Sequence, residues 1–321
     1  MRFVIYGAGA IGGALGVPLA IAGHEVNLIA RGTQLEAIRA GGLTLETPDG
    51  RTTLPLPVVE HPAELRFAPG DVVLLAMKSQ DTEAAVRELA GVAPDAVRVV
   101  CMQNGVENER TALRRFAHVY GAMVISPATF LSPGLVSVTS GPSLGLCEVG
   151  RYPAGSDEFA GELAEALSAA QWASRALPDI LRWKYAKLLD NLSNAAQVVV
   201  GLGARGGEVA TLGRAEGVEV LEGAGVDVLP REEMEARRAE TTNSRPIAGK
   251  ERQGASTWQS VQRGTGSVES DYLNGEIVRL ARETGRGAPV NALLQRLSNE
   301  IAWSGGERGP MSEAEFLALL E

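Results

Sequence analysis

The feature that most constrains the fold is a glycine-rich turn near the start of the chain, between an apolar segment and a helix-like one. Residues 3–6 read FVIY, which has the length and β-branched content of a buried parallel strand. Residues 7–12 read GAGAIG, the spacing G-x-G-x-x-G, and a second apolar segment follows at residues 25–30. A strand, a glycine turn, a helix and a strand within about 30 residues are the context in which this spacing binds a dinucleotide.

Each glycine of this turn has its own mechanical role. Gly7 permits the tight turn, Gly9 lets a pyrophosphate approach the backbone, and Gly12 lets the helix pack against the strand. The helix would also present free N–H groups and its positive dipole end to the phosphates. An ordinary glycine-rich turn is the alternative, since the chain has 38 glycines, but the flanking strands favour dinucleotide binding. The predicted cofactor contacts in the turn are Gly7, Ala8, Gly9, Ala10, Ile11 and Gly12.

Arg31 indicates which dinucleotide is bound. Sites for NAD usually have Asp or Glu near the end of the second strand, where the carboxylate holds the ribose 2′-hydroxyl. Residues 30–33 read ARGT and include no carboxylate. A guanidinium can bind a 2′-phosphate with paired hydrogen bonds, whereas a carboxylate would repel it. The sequence therefore favours NADP(H), although Arg31 could also be a solvated arginine at a strand end.

Composition and charge narrow the class of protein. A length of 321 residues suits two domains, and 45% hydrophobic with 21% charged residues is typical of a globular protein. A net charge of −9 without a basic block argues against nucleic-acid binding, and no apolar run is long enough for a membrane span. The first strand begins almost at the N-terminus, which leaves no room for a signal peptide. Cys101 and Cys147 are the only cysteines. We therefore expect a cytoplasmic, reduced protein. The three histidines are scattered, and no metal site is predicted.

Apolar strands and helical segments alternate through the first half of the chain. Strands are predicted at residues 71–78, 97–102 and 118–125, and a hairpin turns at residues 48–50. Short segments with Pro and Gly turns from 130 to 150 indicate a hairpin at the sheet edge. This alternation predicts an α/β fold with a Rossmann-type, doubly wound parallel sheet.

Ligands of such a sheet bind beyond the carboxyl ends of its strands. Gly7, Arg31, Lys78 and Asn104 each follow a predicted strand, so we expect them to converge on one crevice. Lys78 could instead be a solvated lysine, and Asn104 could form a simple turn with Gly105, because Asn-Gly is a common turn pair.

The character of the sequence changes near Pro178. Beyond this residue helical periodicities dominate and no convincing buried strand is found. We therefore predict an NADP-binding Rossmann-like domain at residues 1–178 and an all-helical substrate and catalytic domain at residues 179–321.

The first helix of the second domain, RWKYAKLLDNLSNA, contains a cluster of polar residues. Trp183, Lys187 and Asn191 fall at i, i+4 and i+8, nearly one helical face, and Asn194 stays close to that face. Burying an unpaired ammonium is costly, so a lysine and two amides near a buried face suggest a site. Alternatively, Lys184 and Lys187 are surface charges and the asparagines cap or kink the helix, and periodicity alone does not separate these alternatives.

Taken together, five blocks resemble the ketopantoate reductase family, the 2-dehydropantoate 2-reductases. In chain order they are GAGAIGG, MKSQDTEAA, QNG, the W-x-x-x-K-L-L-x-N helix and STWQSVQRGTGSVESDYLNGEI. The last block is similar to the family's S-x-x-Q followed by E-I-D-Y-I-N-G. The blocks run through both predicted domains in the expected order, so the resemblance covers nearly the full chain.

The resemblance implies reduction of a small branched 2-oxo acid by NADPH. The reaction that it implies is the reduction of 2-dehydropantoate to pantoate in pantothenate biosynthesis. Lys187 matches the family's catalytic lysine, which protonates the carbonyl oxygen as hydride reaches the carbon, a role that suits an ammonium. Arg31 and Lys78 match positive groups at the adenosine end of the cofactor, and Asn104 matches an asparagine near both nicotinamide and substrate. The implied substrate contacts are Asn104, Asn191, Asn194, Ser256 and Glu269.

Two of these contacts have structural alternatives, and several positions depart from the family pattern. Ser256 could be a helix cap and Glu269 a solvated first-turn carboxylate. The departures are Gln80, Asp81, Ala195, Ser260 and Ser270. They leave another 2-oxo acid or a related carbonyl open as the substrate, and a non-catalytic NADP(H)-sensing protein is the competing class. A small-molecule substrate is the expected partner, a homodimer is a further candidate, and no nucleic-acid or membrane partner is expected.

Overall fold

The computed structural model describes residues 1–241, 243–247, 254, 257, 258, 261, 264, 266–305 and 310–320. The chain divides into two compact units, Met1–Lys184 with Arg231–Arg252 and Tyr185–Pro230 with Gln253–Glu321. The division falls inside a helix, and a later segment of the chain belongs to the first unit. Within the described ranges, no helix is long and apolar enough to cross a membrane.

An eight-stranded, mostly parallel sheet forms the centre of the first unit. In spatial order its strands are β12 (Trp172–Ala173), β11 (Gly145–Arg151), β8 (His118–Ile125), β7 (Arg98–Cys101), β6 (Val72–Leu75), β1 (Arg2–Tyr6), β2 (Glu25–Ile29) and β5 (Val58–Val59). The β8–β11 pair is antiparallel, and the other neighbouring pairs are parallel. The predicted α/β fold with a doubly wound sheet is thus confirmed.

Helices cover both faces of this sheet, which explains why its strands are continuously apolar. The helices of the first unit are α1 (Ala10–Ile21), α2 (Gly32–Gly41), α3 (Thr82–Ala90), α4 (Asn108–Leu113), α5 (Glu158–Ala169), the start of α6 (Ile180–Asn191) and α9 (Arg231–Thr241). In β1, Phe3 and Ile5 join a buried cluster that includes residues of α1 and α5. Val4 and Tyr6 alternate to the opposite face and join a cluster with residues of α3 and α4.

A second, four-stranded sheet corrects one prediction. In spatial order it contains β4 (Gly50–Leu54), β3 (Leu43–Thr47), β10 (Leu135–Val138) and β9 (Ala128–Ser132). The β3–β4 pair is the predicted hairpin. The prediction that residues 130–150 form a hairpin at the edge of the main sheet is wrong for β9 and β10, because β10 pairs with β3, and only β11 joins the main sheet. Val136 of β10 is fully buried, and a Cβ at Gly13 of α1 would lie 2.5 Å from its side chain, so packing on α1 draws β10 to this sheet.

The described part of the second unit contains helices and turns and no strand. Its helices are the end of α6, α7 (Ser193–Val199), α8 (Glu208–Gly223), α10 (Asn274–Glu283), α11 (Pro289–Trp303) and α12 (Glu313–Ala318). The polar helix predicted from the RWKYAKLLDNLSNA segment therefore ends at Asn191, and a second helix begins at Ser193.

Buried amides fix the break between α6 and α7. Asn274 Nδ2 donates to the Leu192 carbonyl oxygen at 3.2 Å and to Asn291 Oδ1 at 2.9 Å. Asn291 Nδ2 donates in turn to the Gly213 carbonyl oxygen at 2.9 Å and to Glu216 Oε1 at 2.8 Å. Asn274 and Asn291 have no exposed surface, so these bonds replace water that the two Nδ2 groups lost on folding.

Candidate functional site

Four adjacent parallel strands end at the same edge of the main sheet. The loops after β7, β6, β1 and β2 contain Asn104, Lys78, Gly7 and Arg31, respectively. The parallel register brings neighbouring strand ends side by side. The four residues singled out from the sequence therefore lie along one edge, where ligands of doubly wound sheets bind.

The three glycines of the turn have distinct environments. Gly7 has a φ of +105°, and a Cβ there would lie 2.7 Å from the Met77 backbone nitrogen, so a side chain does not fit. A Cβ at Gly12 would lie 2.0 Å from the Gly7 carbonyl oxygen. At Gly9, by contrast, a Cβ would meet no heavy atom within 4 Å. The turn is thus closely packed at Gly7 and Gly12 and open at Gly9, as a pyrophosphate-binding turn requires.

The N-terminus of α1 is suited to an anion. Gly9 precedes the helix without a capping side chain, and the first turn contains no acidic residue. Its first N–H groups and the helix dipole therefore favour a phosphate.

Gln34 of α2 holds the glycine turn in place. Its Nε2 donates to the Ala8 carbonyl oxygen at 2.6 Å, and its Oε1 accepts from the Gly134 N–H at 2.7 Å. Nothing in the local sequence of α2 distinguishes this buried glutamine from a surface one, so it was not predicted.

A buried polar network fixes the loops that contain Lys78 and Asn104. The Asn104 carbonyl oxygen accepts from Asn108 Nδ2 at 2.9 Å and from Ser79 Oγ at 3.3 Å. Thr82 Oγ1, at the start of α3, donates to Asn108 Oδ1 at 2.8 Å. The three side chains are buried, so their bonds hold both loops in one conformation.

Arg31 faces a carboxylate that its neighbours in the sequence do not supply. Arg31 Nη2 lies 2.8 Å from Oε2 of Glu88 on α3 and 3.4 Å from the Tyr6 hydroxyl. Tyr6 donates to the same Glu88 oxygen, and His61 Nε2 lies 3.6 Å from it. Burial and the Glu88 carboxylate raise the pKa of Tyr6 far above its ordinary value, so its hydroxyl remains a donor. Residues 30–33 contain no carboxylate, but the fold brings the Glu88 carboxylate of α3, a helix far along the chain, to the end of β2.

Lys184 is buried, so the alternative that it is a surface charge is wrong. Its Nζ pairs with Glu109 Oε1 and donates to the Gln103 carbonyl oxygen at 3.2 Å. The Lys184 and Glu109 side chains are 2% and 0% exposed. Burial raises the pKa of Glu109, although Lys184 opposes this shift, and burial likewise raises the pKa of the Cys101 thiol. Because Gln103 directly precedes Asn104, the pair ties the first half of α6 to the loop after β7.

The second unit contains most of the predicted substrate contacts. Lys187 and Asn191 lie one turn apart on α6, where Lys187 is partly buried and Asn191 is 5% exposed. Asn194 is also buried, but it lies on α7. Among the described residues, nothing accepts a hydrogen bond from Asn191 Nδ2. A buried amide without an acceptor is costly, so it marks a position where a bound ligand can accept.

Glu269 begins a short 3₁₀ turn, Glu269–Asp271, and is 3% exposed. The alternative of a solvated carboxylate is therefore wrong. Ser270, one of the departures from the family pattern, is buried and accepts a hydrogen bond from Ser298 Oγ at 2.7 Å. Ser256 and Ser260 lie outside the described residues.

The parallel sheet and its glycine turn define a dinucleotide-binding unit, joined in one chain to a helical unit with a lysine and buried amides. This is the architecture of a nucleotide-dependent oxidoreductase. Residues 3–153 match the model of the family described as ketopantoate reductase PanE/ApbA, and residues 179–302 match its C-terminal counterpart. The chain belongs to the ketopantoate reductase family. Ketopantoate reductases are NADP-dependent oxidoreductases that act on a CH–OH group, and this chain is an enzyme of that class.

Individual proteins are similar to this chain over nearly their full length. The 2-dehydropantoate 2-reductase of Pyrococcus horikoshii is 29% identical over 308 residues, which cover 92% of this chain and 96% of that protein. The crystal structure of a PanE/ApbA family ketopantoate reductase from Ralstonia eutropha JMP134 is 30% identical, with a TM-score of 0.77 over 95% of this chain and 99% of the other. A ternary structure of D-mandelate dehydrogenase with NADH and anilino(oxo)acetate, 24% identical, shares the fold with a TM-score of 0.79 over 95% and 99% of the two chains.

Proposed function

We propose that this enzyme reduces 2-dehydropantoate to pantoate with NADPH and that Lys187 is the general acid. Two observations support the reaction: the two family matches follow each other along the chain, and the Pyrococcus relative is a 2-dehydropantoate 2-reductase. The observation that carries the choice of site is the buried Asn191 Nδ2, one turn from Lys187, which has no acceptor in the part of the chain that the structure describes.

The residues at the strand ends fit NADPH. Gly9 leaves room for the pyrophosphate beside the N-terminus of α1. Arg31 and Lys78 follow β2 and β6, the two strands on either side of β1, as cations for the adenosine end. When bound, NADPH supplies the hydride that adds to the keto carbon of the substrate. Asn104, on the loop after β7, is the proposed contact near the nicotinamide.

The proposed chemistry of the protein is proton donation. The Lys187 ammonium stabilises the negative charge that grows on the substrate carbonyl oxygen and donates a proton to it, which yields the product hydroxyl. Asn191 Nδ2 donates a hydrogen bond to a substrate oxygen, and the Glu269 carboxylate accepts one from the substrate hydroxyl. Asn194 and Ser256 are the remaining proposed substrate contacts.

Replacing Lys187 with Ala tests the general acid. We expect kcat to fall about 10²- to 10⁴-fold, the usual contribution of a positioned acid, while NADPH still binds. Stopped-flow NADPH oxidation and cofactor fluorescence titration measure the two quantities. Arg182→Ala removes a cation from the same helix, one that pairs with Asp179 at 3.1 Å, and should leave kcat nearly unchanged. A Lys187→Ala enzyme with a kcat within about tenfold of the parent would contradict the assignment.

The substrate is tested with a panel of 2-oxo acids at saturating NADPH. We expect the highest kcat/KM for 2-dehydropantoate and a lower kcat/KM when NADH replaces NADPH. A higher kcat/KM for another 2-oxo acid would keep the reaction type and overturn the substrate. Tight NADPH binding without turnover of any carbonyl would instead identify a cofactor-sensing protein.

A further inference from the structure

The carboxylate of Glu88 is surrounded by donors at the edge of the sheet. Its Oε2 accepts from Arg31 Nη2 at 2.8 Å and from the Tyr6 hydroxyl. His61 Nδ1 accepts from the Ala63 N–H at 3.1 Å, which leaves the proton of the neutral ring on Nε2, 3.6 Å from the same Glu88 oxygen. Three donors from three separate segments thus face one acidic oxygen.

This cluster lies at the strand ends where the adenosine ribose of a dinucleotide is recognised. Tyr6 ends β1 directly before Gly7, Arg31 follows β2, and His61 follows β5, which is paired with β2. In NAD sites a carboxylate at the end of the second strand binds the ribose 2′-hydroxyl. Here α3 supplies a carboxylate to that region, and Arg31 and His61 supply the groups that an anion would need.

We propose that Glu88 is a specificity-determining residue, whose carboxylate occupies the Arg31–Tyr6–His61 donor cluster until a 2′-phosphate replaces it. The inference rests on the proposed use of NADPH. Because Glu88 competes with the 2′-phosphate but not with a 2′-hydroxyl, it lowers the preference for NADPH over NADH below what Arg31 alone would give. When the 2′-phosphate replaces the Glu88 carboxylate, Tyr6 and His61 contact the phosphate.

Exposure makes this exchange feasible. The Arg31 side chain is 58% exposed and the Glu88 side chain 28%, so the carboxylate can turn to water when a phosphate arrives. An ion pair this exposed is weak, which means that a ligand can displace it. Tyr6 is only 4% exposed and does not have to move, so it can donate to either anion. The three donors now share one oxygen of Glu88. A phosphate offers several acceptor oxygens, so it satisfies all three donors at once.

Ligand binding by the Glu88→Gln variant tests the proposal without an activity assay. Calorimetric titration with adenosine 2′,5′-bisphosphate and with AMP measures the contribution of the 2′-phosphate directly. We expect Glu88→Gln to bind the bisphosphate about fivefold more tightly, as expected for release of an exposed ion pair, and to bind AMP as the parent does. Glu83→Gln is the matched control, because Glu83 is also on α3 and also pairs with an arginine, Arg115, at 2.6 Å. It should change neither affinity.

Arg31→Ala separates failure of this proposal from failure of the proposed cofactor. If Arg31→Ala leaves the ratio of bisphosphate to AMP affinity unchanged, Arg31 does not bind a 2′-phosphate and the NADPH assignment at this residue is overturned. If Arg31→Ala lowers the ratio but Glu88→Gln leaves it unchanged or lowers it, Glu88 is not a competitor and only the present proposal fails. Glu88→Ala repeats the measurement, and the thermal midpoint of each variant reports whether it is folded.

Discussion

Two kinds of position meet at the ligand-binding edge of the first unit, those enclosed by protein and those that face open space. The enclosed positions include Gly7, Gly12 and one ion pair, and the open positions include Gly9 and another ion pair. A Cβ at Gly12 would collide with backbone at 2.0 Å, whereas a Cβ at Gly9 would meet nothing within 4 Å. The Lys184–Glu109 side chains are 2% and 0% exposed, whereas those of Arg31 and Glu88 are 58% and 28% exposed.

The difference shows how one edge of a sheet can be rigid and still bind a ligand. An enclosed ion pair has lost its water, so removing one partner leaves an uncompensated charge, whereas solvent screens an exposed pair. We therefore expect substitutions at the enclosed positions to reduce stability and substitutions at the open positions to change binding.

Glu109→Ala should have the largest effect on stability. It leaves the Lys184 ammonium buried without its carboxylate, which should lower the free energy of unfolding by about 3–5 kcal/mol. Urea unfolding followed by circular dichroism measures the change.

The double variant Lys184→Met with Glu109→Leu is the control for this prediction. It removes both charges and fills the space with apolar side chains, so it should recover most of the lost stability. A double variant as unstable as Glu109→Ala would show that packing, and not the isolated charge, causes the loss.

Ala substitutions at Gly12 and Gly9 compare the same chemical change in the two environments. Gly12→Ala forces backbone apart and should lower the free energy of unfolding by about 1–3 kcal/mol. Gly9 has a φ of −83°, which alanine adopts without strain, so Gly9→Ala should keep the parent thermal midpoint but weaken NADPH binding, because its methyl group occupies the space of the pyrophosphate. Equal midpoints for the two variants, or unchanged NADPH affinity in Gly9→Ala, would remove the distinction.

Much of the enclosed framework could be predicted because it depends on local pattern. The predicted strand at residues 118–125 has the bounds observed for β8. The roles of Gly7 and Gly12 followed from their spacing alone. Packing of β10 on α1 depends on residues far apart in the chain, so its sheet could not be assigned from the hairpin pattern.

The charged partners could not be predicted from the sequence, because they too lie far apart in the chain. Helical periodicity places Lys184 and Lys187 three residues apart on one helix, but it does not show that Glu109, 75 residues before Lys184, neutralises one of them. Glu88 likewise fits the pattern of an ordinary charge on an amphipathic helix, and Arg31 is 57 residues away from it. Residues 30–33 contain no carboxylate, but the Glu88 side chain from α3 lies beside Arg31 in space.

The smallest expected effect is a pH dependence confined to the enclosed pair. Burial raises the pKa of Glu109 above its ordinary value of 4.5, even with Lys184 beside it. Below that value the carboxyl is protonated in both the folded and the unfolded chain, so its contribution to stability is fully present. As the pH rises, the unfolded chain releases the proton first, and the contribution is lost up to the raised pKa, by at most about 1.4 kcal/mol per pH unit.

Comparison with the double variant isolates the pH dependence that Glu109 contributes, because Lys184→Met with Glu109→Leu lacks the Glu109 carboxyl. The free energy of unfolding of the parent, minus that of the double variant, should therefore decrease in urea titrations as the pH rises from 4.5 toward the raised pKa of Glu109. A difference between parent and double variant that stays constant with pH, or that grows, would mean that Lys184 compensates the burial of Glu109 fully, and the enclosed pair would then differ from the exposed one in packing alone.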